Sequence, residues 1–146
     1  MTTLTPYLNF NGNCAEAMAF YAQLLGGQAH TMTFAQMPPT EGAPPLSEAD
    51  KAKVMHSTLV VNGQPLLFAS DTLPAFCDGE GFKPAQGFFI SINVDSAAEG
   101  ERIFNALAEG GQVQMPFAET FWAKGFGIAV DRFGTPWMVN AENMAD

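Results

Sequence analysis

The chain repeats one order of predicted elements, and this repeat limits the folds it can adopt. In the first half, the helical pattern NGNCAEAMAFYAQLLGG contains Phe20–Tyr21 and ends at Gly26–Gly27. In the second half, DSAAEGERIFNALAEGG places Phe104 at the same distance before Gly110–Gly111. Glycine is common after a helix, so either pair alone could be coincidence. The shared helix-stop distance and the shared element order together favour an internal duplication.

Each half is predicted to contain a strand, a helix and three further strands. The predicted strands are TPYLNF, AHTMTFAQ, VMHSTLVV and PLLFAS in the first half, and FFISINV, QVQMPFAE, FGIAV and PWMVN in the second. Asn62–Gly63 supplies the positive φ angles of a type I′ hairpin turn. Asn13 with Glu16, and Ser96 with Glu99, have the spacing of a helix capping box. The expected fold is therefore α+β, with two βαβββ units forming a curved mixed β-sheet around a cavity.

The chain of 146 residues is expected to be a single domain spanning residues 1–146. The two repeats are about residues 1–71 and 87–146, joined by a linker at 72–86. The Pro-rich and acidic loop Pro38–Lys53 is predicted to lack regular structure, apart from a short helical turn at Ser47–Lys51.

Charge and composition exclude several classes of partner. A net charge of −9 argues against nucleic acid and against an anionic membrane surface. No segment resembles a signal peptide or a membrane span, and Cys14 and Cys77 have no metal or redox spacing. We therefore expect a cytoplasmic protein. Apolar residues make up 47% of the chain and charged residues only 14%, which favours a large interior, a lined cavity or a homodimer interface.

Three segments resemble a known superfamily. TPYLNFNGNCAEAMAFY, ETFWAKGFG and DRFGTPWMVN are together similar to the vicinal-oxygen-chelate proteins, which include glyoxalases, extradiol dioxygenases and bleomycin-resistance proteins. Within that superfamily they resemble the PhnB-like subfamily, also labelled 3-demethylubiquinone methyltransferase-like. The resemblance spans essentially the whole chain and implies the glyoxalase-like fold. It lends no support to methyl transfer, because the sequence has no glycine-rich cofactor loop.

The resemblance also implies where a metal ion would bind. Members of the superfamily usually hold a divalent ion with four His or Glu side chains, taken from the first and last strands of each unit. Counting from the motifs, those positions fall at Pro6, near Leu67, at about Phe89 and at Met138. Pro, Leu and Phe have no donor atom, and the Met thioether is a soft ligand. We therefore expect no metal ion and no other cofactor.

His56, Trp122 and Glu119 are the leading candidates for contact with a ligand. His56 lies in a predicted strand and could act as a general base or hydrogen-bond donor, or be a hydrogen-bonded residue on the outer face of the sheet. Trp122 follows Glu119 in the segment FAETFWAKGFG and could close over an apolar ligand, plug the core, or contact a second subunit. Phe89 and Met138 complete the predicted ligand-binding set as cavity walls.

The remaining candidates have structural interpretations. His30 is predicted to be an exposed strand residue. Asp71 is predicted to cap a loop, and Asp131 to bond to the backbone of its own turn. Cys14 could be acidified by the dipole of its helix, but a small buried apolar residue is the preferred interpretation.

Three functions remain open from the sequence. The preferred one is a metal-independent protein or enzyme that binds a small molecule in an apolar cavity, with His56 as the best catalytic candidate. The second is a metal-dependent lyase, isomerase or dioxygenase of the glyoxalase type. The third is a protein that sequesters a cationic drug, as bleomycin-resistance proteins do. Few cationic side chains are available to bind a phosphonate, since the chain has six Lys and Arg residues.

Overall fold

The structure is a computed structural model that describes residues 2–38, 45–73 and 82–143, without the side chain of Asn143. Cys77 and parts of the predicted loop and linker lie outside the described residues. The chain divides into two compact units, Met1–Lys83 and Pro84–Asp146. The expected arrangement as a single domain stays a prediction, and each unit is described here by itself.

The first unit contains the predicted strand, helix and three strands in that order. Its elements are β1 (Tyr7–Phe10), α1 (Cys14–Leu25), β2 (Gln28–Thr33), the short helix α2 (Glu48–Lys51), β3 (Val54–Val61) and β4 (Gln64–Asp71). The short helix begins after Ser47, whose hydroxyl accepts a hydrogen bond from the Asp50 N–H. This is the helical turn that the sequence predicts within the loop.

The second unit repeats the same order of elements. They are β5 (Ile90–Val94), α3 (Ala97–Ala108), β6 (Gln112–Ala118), β7 (Ala123–Val130) and β8 (Pro136–Asn143). The α+β fold with two βαβββ units is therefore confirmed, and strand boundaries differ from the predicted ones by a few residues.

Both units also share one sheet topology. The strand orders are β1-β4-β3-β2 and β5-β8-β7-β6. The first strand of each unit pairs in parallel with the last, and the other neighbours pair antiparallel. Each sheet is therefore mixed, and its first and last strands lie side by side.

One face of each sheet packs against the helix of its own unit. In the first unit the alternate residues Leu8, Phe10, Leu59 and Ala69 are buried, as are Met18 and Tyr21 of α1. Because side chains alternate across a strand, their neighbours in sequence lie on the opposite face. We call this second side, away from the helix, the open face of the sheet.

Glycines in β7 make room for aromatic rings on the helix-facing side of the second sheet. A Cβ atom at Gly127 would lie 2.6 Å from the Phe104 ring of α3, and one at Gly125 would clash with the ring of Phe117. The glycines of the segment ETFWAKGFG therefore serve the packing of the core.

The predicted stop and turn signals hold, but one predicted cap is wrong. Gly26 ends α1 with a φ of 74°, and Asn62–Gly63 has positive φ at both residues. The side chain of Asn13 makes no capping hydrogen bond, and its Oδ1 atom is buried without a partner. Asp71 takes over the role, because its Oδ1 accepts the N–H groups of Gly12 and Cys14, both at 2.9 Å.

The capping box predicted for α3 is half correct. Ser96 caps α3 through the Glu99 N–H at 3.2 Å, but the Glu99 carboxylate bonds to Arg102 and not to the cap.

β2 ends at Thr33, earlier than predicted. The Thr33 N–H donates to the Gln36 side chain at 2.7 Å, and Phe34–Gln36 form a 3₁₀ turn.

No helix in the described ranges is both long enough and apolar enough to span a membrane.

Candidate functional site

The open face of the first sheet carries a cluster of aromatic and polar side chains. Tyr7 pairs with Phe68 across β1 and β4, and Phe68 pairs with Thr58 across β4 and β3. His56 lies two residues before Thr58, so its side chain is on the same face. Tyr7 is 48% exposed, while His56 and Phe68 are half-buried. These four residues, Tyr7, His56, Thr58 and Phe68, form what we call the histidine cluster.

Two rings fix the position of His56. Its imidazole centroid lies 5.4 Å from that of Phe68 and 5.9 Å from that of Tyr7. The Nε2 atom is 3.2 Å from the Thr58 hydroxyl, and the tautomer decides which group donates. His56 is therefore hydrogen-bonded, as one alternative predicted, but it lies on the face away from the helix. There the imidazole can exchange a hydrogen bond with a bound molecule.

His30 is also on the open face, where it pairs with Thr58 from the edge strand β2. Its exposure confirms the prediction of an exposed strand residue. Two histidines therefore lie on the same face, and among the described residues His56 is the one with aromatic rings beside it.

The open face of the second sheet is mostly apolar. Met138 and Ile128 pair across β8 and β7, and Phe126 lies two residues before Ile128. The ring of Trp122 meets that of Phe126 edge-on at 5.1 Å, and Phe121, which is 91% exposed, also meets Trp122 edge-on, at 4.8 Å. Trp122 and Met138 therefore share one sheet face, as two of the predicted ligand contacts should.

The other predicted contacts are more exposed. Glu119 lies in the turn between β6 and β7, which Thr120 closes through its N–H to the Ala123 carbonyl at 2.9 Å. Phe89 immediately precedes β5 and is 41% exposed. Glu119, Phe89, Trp122 and Met138 belong to the second unit, and His56 belongs to the first.

The turn DRFGTPW is fixed by hydrogen bonds to Asp131, and Met138, the residue after it, lies on the open face. Trp137 is 2% exposed and its indole N–H donates to Asp131 Oδ2 at 2.8 Å. Asp131 Oδ1 accepts the N–H groups of Phe133 and Thr135. The predicted bonding of Asp131 to its own turn is confirmed. Of the adjacent pair Trp137 and Met138, the first is therefore core and the second is half-buried on the open face.

The resemblance implies four positions for metal ligands. In the observed sheet register, three of them lie one or two residues away from the open-face residues of the paired first and last strands. Of the open-face pairs between the first and last strands, Tyr7 with Phe68 and Ser91 with Met138 lie nearest to those positions. Leu67, the implied position in β4, is 4% exposed and faces the helix, not the open face. Pro6 lies before β1, where its carbonyl accepts the Phe68 N–H.

Neither set of residues fits a divalent metal ion. The four register positions offer a phenol, a phenyl ring, a hydroxyl and a thioether, with no imidazole and no carboxylate. Within the three described ranges, no three His, Cys, Asp or Glu residues are grouped closely enough to hold an ion.

Two carboxylates on the last strands of the units are already engaged in hydrogen bonds. Glu142 accepts the Ala97 N–H at 2.9 Å and the Lys124 ammonium at 3.1 Å, and these two hydrogen bonds lower its pKa. Asp71 accepts the Val54 N–H at 2.9 Å, and it also accepts the N–H groups of Gly12 and Cys14 at the start of α1. In both units a carboxylate from the last strand thus caps the helix.

Cys14 is not activated by its helix. Its side chain is fully buried, and this desolvation, together with the nearby Asp71 carboxylate, raises the pKa of the thiol to about 12. The preferred interpretation of Cys14 as a small buried residue agrees with the structure, and the alternative of an acidified thiol is wrong.

Sequence reasoning missed Tyr7, Thr58, Phe68 and Phe126 as members of the open faces. Strand alternation from His56 would have found Thr58, and alternation from Trp122 would have found Phe126. Tyr7 and Phe68 required the pairing of β1 with β4, which the sequence does not contain.

Comparisons with known proteins agree on one family. The profile of the 3-demethylubiquinone-9 3-methyltransferase family matches residues 2–140. Protein YjdN of Escherichia coli (strain K12) is 34% identical over 143 residues, which are 94% of this chain and 93% of that protein.

Solved structures share the fold over nearly the whole chain. Protein PA1353 from Pseudomonas aeruginosa is 48% identical, with a TM-score of 0.81 over 97% of this chain and 98% of that one. A putative 3-demethylubiquinone-9 3-methyltransferase, the PhnB protein from Bacillus cereus, is 25% identical, with a TM-score of 0.69 over 96% and 99% of the two chains. A glyoxylase/bleomycin resistance protein/dioxygenase domain from Frankia sp. EAN1pec, 12% identical, shares the fold with a TM-score of 0.62 over 100% of this chain and 96% of that one.

Proposed function

The chain belongs to the 3-demethylubiquinone-9 3-methyltransferase family, within the PhnB-like and glyoxalase-like proteins, and we propose that it binds a small organic molecule without a metal ion. The proposed contacts are His56 in the first unit and Trp122 with Met138 in the second. Phe89 and Glu119 stay in the proposed set as exposed neighbours of the second sheet.

One observation carries this proposal. Tyr7, Phe68, Ser91 and Met138 are open-face residues at or within two residues of the positions that the superfamily resemblance implies for metal ligands. A divalent ion there would lose its hydration without gaining paired charge, which costs at least several kcal/mol. Aromatic rings, a thioether and a hydroxyl can instead hold an organic ligand by packing and hydrogen bonds.

The histidine cluster gives the proposed site a polar contact. The His56 imidazole can donate or accept a hydrogen bond, and the Thr58 hydroxyl, 3.2 Å away, orients the ring. Packing against Phe68 and Tyr7 restricts the imidazole further. If the protein is an enzyme, His56 is the proposed general acid or base, and a reaction would require a substrate proton within its reach.

The proposal does not extend to methyl transfer. The family description names a methyltransferase, but the sequence has no glycine-rich loop to hold a nucleoside cofactor.

A metabolite screen by thermal shift, followed by titration of the hits, tests the proposal. We expect a ligand whose affinity is unchanged by a chelator and falls about tenfold, or 1.4 kcal/mol, in His56→Ala for a ligand of the first unit or in Trp122→Ala for a ligand of the second. His30→Ala is the matched control for a histidine on the same face, and Phe121→Ala for an aromatic residue beside Trp122. Loss of affinity with a chelator, or full affinity in both site variants, would contradict it.

A homodimer is also proposed, and it is supported by exposed apolar residues on edge strands. Met32 on β2 and both Val113 and Met115 on β6 are more than two-fifths exposed, and both strands are at sheet edges. Sedimentation at micromolar concentration should give twice the 15.6 kDa mass of one chain. A species of 15.6 kDa alone would contradict the dimer.

The proposed location is the cytoplasm, because Cys14 is a free thiol, as is usual in a reducing compartment.

A further inference from the structure

A pocket of about 380 Å³ lies within the first unit, near the ends of β1 and β4. Phe34 and Leu73 are its buried apolar residues, with exposures of 9% and 2%. The N–H of Phe34 donates to the Lys53 carbonyl at 3.0 Å, which fixes the 3₁₀ turn after β2 against the residues that lead into β3. The pocket volume lies in the range of small-molecule sites.

The walls of the pocket are apolar and adaptable. Met37 and Met55 line it together with Phe34 and Leu73, and Tyr7 forms part of its rim. Unbranched thioether side chains can change rotamer to fit irregular apolar shapes, and they make favourable contacts with aromatic rings. This lining suits a compact apolar or aromatic group.

Two polar side chains in the pocket are available to a ligand. Asn9 and Ser70 pair across β1 and β4 and both line the pocket. Neither side chain is engaged with another residue in the part of the chain that the structure describes. An amide and a hydroxyl side by side can donate to and accept from one polar group.

The described lining of the pocket offers no cationic side chain to compensate a negative charge. None of its nine described lining residues is Lys, Arg or His, and Asp71 contributes a carboxylate. Asp71 is itself held by the N–H groups of Gly12, Cys14 and Val54. An anionic ligand would be desolvated next to a like charge, which is costly.

We infer that this pocket selects neutral or cationic molecules with an apolar body, held by Met37 and Met55 and oriented by Asn9, and that it rejects carboxylates and phosphonates. The inference rests on the proposed function, because Tyr7 both lines the pocket and contacts His56, which makes the pocket a specificity-determining part of that site.

Three probes of similar shape test the charge selection: phenylacetamide (neutral), 2-phenylethylammonium (cationic) and phenylacetate (anionic). Protein labelled with ¹³C in the methionine methyl groups is titrated with each at pH 7, with Met37→Leu and Met55→Leu used to assign the signals. The amide and the ammonium are expected to shift the Met37 and Met55 signals at millimolar concentration. Phenylacetate should bind at least tenfold more weakly, and the exposed Met115 should not respond.

A pair of matched variants tests whether the Asn9 amide orients the ligand. Asn9→Leu should weaken phenylacetamide binding about fivefold, whereas Asn93→Leu, on the first strand of the second unit, should leave it unchanged. A thermal unfolding curve for each variant confirms that it is folded.

The outcomes separate this inference from the proposed function. Shifts at Met138 without shifts at Met37 and Met55 would overturn the pocket while leaving the metal-free site in place. Equal binding of phenylacetate at Met37 and Met55 would overturn the charge selection. No response to any probe at millimolar concentration would overturn the inference as a whole, and the metabolite screen would still test the proposed function.

Discussion

The indole N–H of Trp137 donates a hydrogen bond of 2.8 Å to Asp131 Oδ2 inside the turn that joins the last two strands. The other carboxylate oxygen accepts the N–H groups of Phe133 and Thr135. Both Trp137 and Asp131 are buried. The segment DRFGTPW therefore has a structural role, because it fixes the start of β8, and Met138, the next residue, lies on the open face.

Removing this carboxylate should destabilise the protein strongly. Asp131→Ala leaves a buried indole N–H and two backbone N–H groups without their acceptor, and we expect a loss of about 2–4 kcal/mol. Urea denaturation followed by far-UV circular dichroism measures it. Glu101→Ala, at an exposed position of α3, is the control and should change the free energy of unfolding by less than about 0.5 kcal/mol. An equal effect of the two substitutions would contradict the role of Asp131.

The cap of α1 provides a second prediction, in which the strand residue matters more than the residue at the cap position. Asp71→Ala removes the acceptor of the Gly12, Cys14 and Val54 N–H groups and should cost about 2–4 kcal/mol. Asn13→Ala removes a side chain that makes no capping bond and should cost less than about 0.5 kcal/mol, below the usual loss for a cap. The same urea experiment compares them, and a larger loss for Asn13→Ala would refute the assignment.

The buried thiol gives a prediction of pH dependence. Burial, and next the Asp71 carboxylate, raise the pKa of Cys14 from its ordinary 9.0 to about 12. Above pH 9 the unfolded chain releases this proton while the folded protein keeps it. The stability that this group contributes is therefore complete below pH 9 and is lost as the pH rises toward 12.

Comparison with Cys14→Ala isolates this contribution from other titrating groups. The free energy of unfolding of the wild-type protein should fall more steeply with pH above 9 than that of the variant. Identical slopes for the two proteins would contradict a raised pKa.

The fold could be predicted from the sequence because its signals are local. Each signal depends on a few neighbouring residues: the glycines that end the helices, the Asn62–Gly63 turn and the alternation along strands. The duplication helps as well, because each element is predicted once in each half. Asn13 shows the limit. Its position suits a cap, but Asp71 reaches the same N–H groups from β4, and this competition between distant residues is absent from the local pattern.

The candidate site could be predicted only in part for a related reason. Met138 was counted over only four residues from Gly134 and lies on the open face, whereas Leu67 was counted across a longer stretch and lies on the helix-facing side. A shift of one residue reverses the side of a strand. The pairing of Tyr7 with Phe68, and with it the surroundings of His56, emerged only from the parallel register of β1 and β4.

The central claim, a ligand site without a divalent ion, is tested most directly by metal analysis. The protein should be purified without chelator and without a nickel column, by anion exchange, which its calculated isoelectric point of about 4.4 permits. Inductively coupled plasma mass spectrometry should then find far less than one Zn, Mn, Ni or Fe ion per chain, because Tyr7, Phe68, Ser91 and Met138 offer no suitable set of donors. Close to one bound ion per chain would contradict the account.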